Sequence, residues 1–191
     1  MNQSKPLKPL QTLATAAMLL ALGLVLPFFT GQIPQIGKML CPMHLPVLLC
    51  GFLCGWKYGL AVGLILPPLR FVLFGMPPLF PAGTAMAFEL AAYGFLAGFL
   101  YARSRWQCVA ALYRCLITAM LGGRAVWAVA QVILSGVSGQ AFTWQMFLSG
   151  AFLTAIPGIV LQLVLIPVAM VALDRTGLVC FRRSGKAVPM V

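Results

Sequence analysis

Acidic and titratable side chains are scarce in this sequence. Asp and Glu together number 2 among 191 residues, there is 1 His, and charged residues make up only 8% of the chain. A soluble domain typically carries about 25% charged residues, so this composition excludes an ordinary soluble fold. A zinc site needs three or four suitable ligands, and acid–base catalysis commonly uses paired carboxylates. We therefore expect no catalytic residues, no metal site and no cofactor.

Sequence motifs of several enzyme classes are also missing. The chain has no phosphate-binding loop motif of ATPases, no HExxH and no GxSxG. Uphill transport by this chain would therefore depend on an ion gradient or on a partner that supplies the energy. The net charge of +11 does not indicate nucleic-acid binding, because Lys and Arg are spaced singly between apolar segments and do not form a patch.

Long apolar runs dominate the rest of the chain. Hydrophobic residues account for 62% of it, and the mean hydropathy is +1.01. A run of about 20 apolar residues spans the hydrocarbon core of a bilayer as a helix, because a helix satisfies its own backbone hydrogen bonds. The pattern predicts an all-α membrane protein with six helices at about Leu10–Phe29, Met43–Gly55, Tyr58–Phe74, Gly83–Tyr101, Gln107–Leu134 and Gln145–Leu173.

Proline and glycine predict local features of these helices. The second segment is too short to cross without tilt or local thinning of the bilayer, so five crossings are an alternative. Two proline pairs predict a kink or interruption, Pro67 and Pro68 in the third helix and Pro157 and Pro167 in the last. The glycine pair at 122–123 predicts a bend or a close helix contact in the fifth. The cysteines lie mostly in apolar runs and are interpreted as reduced packing residues.

Basic residues set the predicted orientation. With the N-terminus in the cytoplasm, only Lys38 falls in an outside loop. The other basic residues outside the helices fall in cytoplasmic segments, namely Lys5, Lys8, Lys57, Arg103, Arg105, Arg175, Arg182, Arg183 and Lys186. This asymmetry follows the positive-inside rule. It predicts a single transmembrane domain, with a cytoplasmic segment 1–9, a helical bundle 10–173 and a basic cytoplasmic tail 174–191.

Three charged residues lie inside predicted helices: Arg70, Glu89 and Arg124. A charge at the bilayer centre costs about 2.5–3.5 kcal/mol on insertion scales, which makes it a functional hypothesis by default. All three, together with His44, fall towards the outer side of the predicted bundle. One carboxylate can neutralise one guanidinium, so the second Arg would meet water or an anionic ligand. The alternative is an Arg–Glu pair that only joins helices.

Neighbouring polar and aromatic residues would complete a small-molecule pocket. Trp127 and Gln131 share the face of Arg124, and Tyr93 follows Glu89 by one helical turn. Lys38 and Phe80 lie in outside loops that could cover a site or could be simple turns. The candidate substrate-binding residues are thus Arg70, Glu89, Arg124, His44, Trp127, Gln131, Tyr93, Lys38 and Phe80.

The whole chain resembles a known family of membrane proteins. An alanine-rich first helix precedes an outside loop and the short segment CPMHLPVLLCGFLCGW, and LGGRAVWAVA lies in the fifth helix. The middle, KYGLAVGLILPPLRFVLFGMPPLFPAGTAMAFELAAYGFLAGFLY, also looks like that family. This layout resembles the substrate-binding S components of energy-coupling factor (ECF) transporters, the vitamin importers of bacteria.

The resemblance implies a binding subunit in a bacterial cell membrane, not an enzyme. It implies that a water-soluble vitamin or precursor binds near the outer face, under the first, third and fifth loops. Two arginines against one glutamate favour an acidic or acceptor-rich ligand such as pantothenate, with pyrimidine precursors, flavins and other vitamins open. Ala17 and Ala21 match the motif that docks on a transmembrane coupling protein, itself bound by a pair of ATPases, and Ala14 extends that motif.

Three other functions fit the same residues. A stand-alone secondary carrier or channel would move a small solute without a partner, although the chain shows no clear internal repeat of the kind carriers use. An intramembrane enzyme would require Glu89 and His44 to meet in one site. A structural or assembly role is a further alternative.

Overall fold

The computed structural model describes residues 9–29, 42–75, 78–104, 108–137 and 156–175. Every regular element in those ranges is helical, which confirms the predicted all-α class. The six helices are α1 (Pro9–Phe29), α2 (His44–Cys54), α3 (Trp56–Phe74), α4 (Thr84–Arg103), α5 (Val109–Val137) and α6 (Ile156–Arg175). A short π-type turn, Leu79–Gly83, precedes α4. The first part of the predicted sixth helix, 145–155, lies outside the described residues.

Five of the helices are long and apolar enough to cross a membrane, and α2 is not. With 11 residues, α2 is about 17 Å long, roughly half of a hydrocarbon core of about 30 Å. Most of α2 is buried, including its first five residues. It is therefore a core helix enclosed by longer neighbours, as expected for a helix that is apolar on all sides.

The sequence predicted a kink or an interruption of α3 at its two prolines, and an interruption does not occur. The helix continues through Pro67 and Pro68 as far as Phe74. Proline inside a helix removes one hydrogen bond, but in a membrane neighbouring helices and local adjustments compensate for that loss. α6 also continues past Pro167, and Pro157 lies in its first turn, where proline is tolerated because the N–H has no helical partner.

Glycines allow α2, α3 and α4 to pack backbone against backbone. A Cβ at Gly59 would lie 2.6 Å from the Gly94 carbonyl oxygen, and one at Gly51 would lie 2.5 Å from the same atom. Small residues at such positions let helices in lipid approach closely. As a result α4 lies in the middle of the bundle, packed against α2, α3 and α5.

The close contact predicted at the glycine pair of α5 is confirmed. A Cβ at Gly123 would lie 2.7 Å from the Tyr93 ring, and one at Gly122 would overlap Leu96. Without side chains at these two positions, α5 can lie directly against α4. That contact brings Arg124, the next residue of α5, to the level of Tyr93.

The helices define two ends of the bundle. The last residues of α1 and α3 meet, since the Phe28 and Phe74 ring centroids lie 4.9 Å apart. α2 and α4 begin near these residues, and we call this the Phe74 end. At the opposite end α4 finishes and α5 begins, and we call it the Arg103 end. Which end faces the cytoplasm stays a prediction from the charge distribution.

Candidate functional site

Glu89 lies in the second turn of α4 and joins three helices. Its side chain is 3% exposed. The Oε1 atom lies 3.0 Å from Arg124 Nη1 of α5 and 3.5 Å from His44 Nε2 of α2. The Tyr93 hydroxyl donates a hydrogen bond of 3.2 Å to the same oxygen. We refer to these four residues as the Glu89 cluster.

Tyr93 is positioned by both its neighbours in the sequence and its packing. It follows Glu89 by four residues, which brings the two side chains together on one face of α4. Its ring packs edge-on against the His44 ring, with centroids 5.1 Å apart, and lies over Gly123 of α5. The hydroxyl therefore reaches Glu89 from a ring that is fixed on two sides.

His44 is the first residue of α2 and is only 2% exposed. Neither ring nitrogen has a hydrogen-bond partner within the described part of the chain, and the 3.5 Å separation from Glu89 is longer than a good hydrogen bond. A buried polar group without a partner costs about 1–3 kcal/mol. The imidazole is therefore suited to interact with a polar group that enters the cluster.

The charge of Glu89 has a further favourable neighbour in α2. No acidic residue lies in the first turn of that helix, and its N-cap residue, Met43, makes no side-chain cap. The N-terminus of a helix carries a partial positive charge. Because His44 at this N-terminus contacts Glu89, the helix end and Arg124 both place positive charge beside the carboxylate.

Arg124 is the first of three half-buried residues on one face of α5. Its side chain is 11% exposed, and Trp127 and Gln131, one and two turns further on, are also half-buried. Val129 and Val132, which lie on the other side of the helix, are exposed. The predicted sharing of one face by these three residues agrees with this pattern. That face continues from the Glu89 cluster towards the last turn of α5.

Arg70 lies in a separate setting near the end of α3. It is 5% exposed, and its Nη1 donates a hydrogen bond of 3.1 Å to the Leu24 carbonyl of α1. Its guanidinium carbon is 5.9 Å from the ring centroids of both Phe28 and Phe74. Arg70 is thus enclosed by an aromatic pair and a backbone oxygen, an arrangement that a planar cation fits well.

The remaining predicted residues have different surroundings. Phe80 is 50% exposed and has an extended backbone inside the turn before α4. Lys38 lies outside the described residues. Ala14, Ala17 and Ala21 are exposed on the outer face of α1. The inner face of that helix carries other residues, such as Ala16 and Leu19, so among the described helices the predicted docking alanines do not pack inside the bundle.

The two residues required by the enzyme alternative do meet, since His44 contacts Glu89. The same carboxylate oxygen is also bound by Arg124 and Tyr93. Within the described ranges no three His, Cys, Asp or Glu residues are grouped so that they could hold a metal ion. The geometry alone thus fits a polar binding site and does not require catalysis.

Two features of this region were not predicted from the sequence. The glycine contact between α3 and α4 could have been found, because Gly59 and Gly63 on α3 and Gly94 and Gly98 on α4 each follow the small-xxx-small pattern. The contact of Arg70 with Phe28 had no such signal. These residues belong to different helices, and only tertiary packing brings them together.

A family model provides the identification. The model of the substrate-specific component of ECF transporters matches residues 11–170, which covers the whole Glu89 cluster. The chain belongs to this family. No curated protein and no solved structure gives a significant match to it. It is therefore a multi-pass membrane protein that serves as the substrate-binding S component of a transporter, and not an enzyme.

Proposed function

We propose that this S component captures a small water-soluble vitamin or vitamin precursor near the outer face of a bacterial cell membrane. It then delivers the molecule to a transmembrane coupling protein with a pair of ATPases. The observation that carries the proposal is the buried imidazole of His44, which lies within the Glu89 cluster, beside an ion pair. A purely structural ion pair would not need it.

Polar groups of a ligand would bind most favourably at the Glu89 cluster. Charges inside a bilayer are costly and usually face a cavity or one another, and Glu89 and Arg124 meet in this way. A guanidinium carries five donors in one plane, so it can hold a protein carboxylate and a ligand acceptor at once. His44 and Tyr93 would add further polar contacts, and Trp127 with Gln131 would extend the site along α5.

The class of ligand follows from the balance of charges. The helices carry two arginines near the Phe74 end and one glutamate, which Arg124 already contacts. Arg70, held between two rings, would add a second positive charge at that end. We therefore infer a ligand with an acidic or acceptor-rich group, such as pantothenate. Lys38 and Phe80, in the predicted outside loops, would contact it from above.

Ligand identification tests this proposal directly. The gently purified protein is analysed by native mass spectrometry, and the small molecule released on denaturation is identified. We expect a stoichiometric vitamin-like compound that is lost in His44→Ala and in Arg124→Ala. The matched control is Arg175→Ala, because Arg175 is exposed at the far end of α6. A protein that stays empty across a panel of vitamins would contradict the proposed binding function.

The exposed alanines of α1 supply the proposed docking surface. Ala17→Trp and Ala21→Trp place a bulky ring on a face that small residues keep flat, so each should abolish co-purification with a coupling protein. Ala172→Trp, at an exposed position of α6, is the control. Unchanged assembly in both α1 variants would refute the docking surface. Uptake into proteoliposomes without any coupling module would indicate a stand-alone carrier instead.

A further inference from the structure

A groove lined by two arginines lies at the Arg103 end, about four turns of α4 away from Glu89. An open groove of about 600 Å³ runs between the end of α4 and the start of α5. Its lining residues are Leu100, Arg103, Ser104, Cys108, Ala111, Arg114, Cys115 and Thr118. We propose that this groove binds the anionic headgroup of a membrane phospholipid. The proposal is independent of substrate binding.

The charge of the groove favours an anion. Arg103 and Arg114 come from different helices and line it together, and both are exposed. Within the described part of the chain, where the ion pairs involve Glu89, no carboxylate pairs with either arginine. Neither Glu89 nor Asp174, the only acids of the chain, lines the groove, although Asp174 lies near enough to Tyr101 to act on it electrostatically. The two guanidinium groups outnumber that one carboxylate and give the groove a net positive charge.

The backbone adds to this positive charge. α5 begins at Val109, beside the groove, and its first turn contains no acidic residue. The N-terminus of a long helix carries a partial positive charge and N–H groups without helical acceptors. A phosphate placed between the two arginines would interact favourably with this helix end. The helix end is a supporting feature, and the paired arginines define the site.

The position of the groove identifies the anion as part of a lipid. Arg103 is the last residue of a membrane-crossing helix, and Arg114 lies about 8 Å along α5 from its start. Long basic side chains at that depth extend towards the headgroup layer. Ile117 and Leu121, further along α5, are 47% and 59% exposed and would face acyl chains. Leu100 and Ala111 give the groove itself an apolar wall.

Packing against an aromatic ring positions Arg103 for phosphate binding. Its guanidinium carbon lies 6.0 Å from the Phe99 ring centroid, and Phe99 stacks on Phe95 at 5.5 Å. A stacked guanidinium can still donate in its own plane, which is how it binds phosphate oxygens. Basic pockets between membrane helices bind anionic headgroups in this general manner.

The test compares two lipids that share acyl chains. The purified full-length protein in detergent is titrated with phosphatidylglycerol or phosphatidylcholine, and bound lipid is counted by native mass spectrometry. We expect phosphatidylglycerol to bind about tenfold more tightly, and Arg103→Gln combined with Arg114→Gln to remove that preference. Arg103→Lys combined with Arg114→Lys should keep most of it. The matched control, Arg175→Gln, changes one exposed arginine at another helix end and should have no effect.

Three outcomes would overturn the proposal. The first is equal binding of the two lipids by the unchanged protein. The second is an unaltered preference in the double Gln variant, provided that its circular dichroism shows an intact fold. The third is full competition by inorganic phosphate alone at millimolar concentration, since the groove would then be a site for a soluble anion and not for a lipid.

Discussion

Arg124 of α5 and Glu89 of α4 form an ion pair, with Nη1 3.0 Å from Oε1, inside the helical bundle. The pair sits where glycines at 122 and 123 let the two helices touch. It therefore unites two roles that are alternatives when judged from the sequence alone. It joins helices, and it places a guanidinium and a carboxylate beside the buried imidazole of His44.

Replacement of Glu89 by Gln should strongly destabilise the protein. Removal of one partner of a buried pair leaves an uncompensated charge and costs about 3–5 kcal/mol. We expect a large fall in the melting temperature in detergent, with partial recovery when Arg124→Gln is added, because the second change removes that charge. Arg175→Gln, at an exposed position, should have little effect. Additive effects of the two changes would show that Glu89 and Arg124 do not interact.

Tyr93→Phe tests the hydroxyl of the cluster without changing the packing of the ring. The Tyr93 hydroxyl donates to Glu89 Oε1, and a hydrogen bond to a charged group contributes about 1.5–3 kcal/mol. The variant should therefore lower the melting temperature and weaken ligand binding. Tyr113→Phe removes a hydroxyl from an exposed tyrosine of α5 and is the matched control. Equal effects at the two positions would contradict a specific role for Tyr93.

Arg70→Lys should destabilise the protein although the charge is kept. A lysine loses the planar contact with the Phe28 and Phe74 rings, which are both 5.9 Å from the guanidinium carbon. A desolvated cation–π contact contributes up to about 2 kcal/mol. The matched control is Arg103→Lys, which alters an exposed arginine near one ring. Thermal unfolding should show a clearly larger loss at position 70, and an equal or smaller loss there would refute this interpretation.

The sequence predicted the fold well because apolar runs of membrane length are unambiguous. Five of the six helices have the required length and hydropathy, and the short second segment was recognised as unable to cross alone. The sequence did not decide whether Pro67 and Pro68 kink α3 or interrupt it. Continuity of this helix depends on compensation by neighbouring helices, which a local rule for proline does not include.

The sequence singled out the four side chains that meet around Glu89, but it did not predict how they are arranged. The cost of charge in lipid singled out Arg70, Glu89 and Arg124, and helical spacing placed Tyr93 beside Glu89. Spacing along one chain could not show which arginine pairs with the single glutamate. That choice follows from the packing of α5 on α4 at Gly123, whereas α3 turns Arg70 towards the Leu24 carbonyl of α1.

The contact of Gly94 with Gly59 leads to a prediction that separates packing from helix propensity. A methyl group at Gly94 would overlap the backbone of Gly59, which no side-chain rotation can relieve. Gly94→Ala should therefore cost about 1–3 kcal/mol, as overpacking does. Because Glu89 and Tyr93 lie on the same helix, displacement of α4 should also weaken ligand binding.

The matched control for this change is Gly136→Ala, also in a helix. Nothing lies within 4 Å of a Cβ built at Gly136, so alanine there should leave stability unchanged or raise it by about 0.5–1 kcal/mol through helix propensity. If the backbone contact between α3 and α4 holds the site together, Gly94→Ala should lower both the melting temperature and the ligand affinity, whereas Gly136→Ala should lower neither. A Gly94→Ala protein as stable as the Gly136→Ala protein, with unaltered affinity, would mean that this contact does not position the Glu89 cluster.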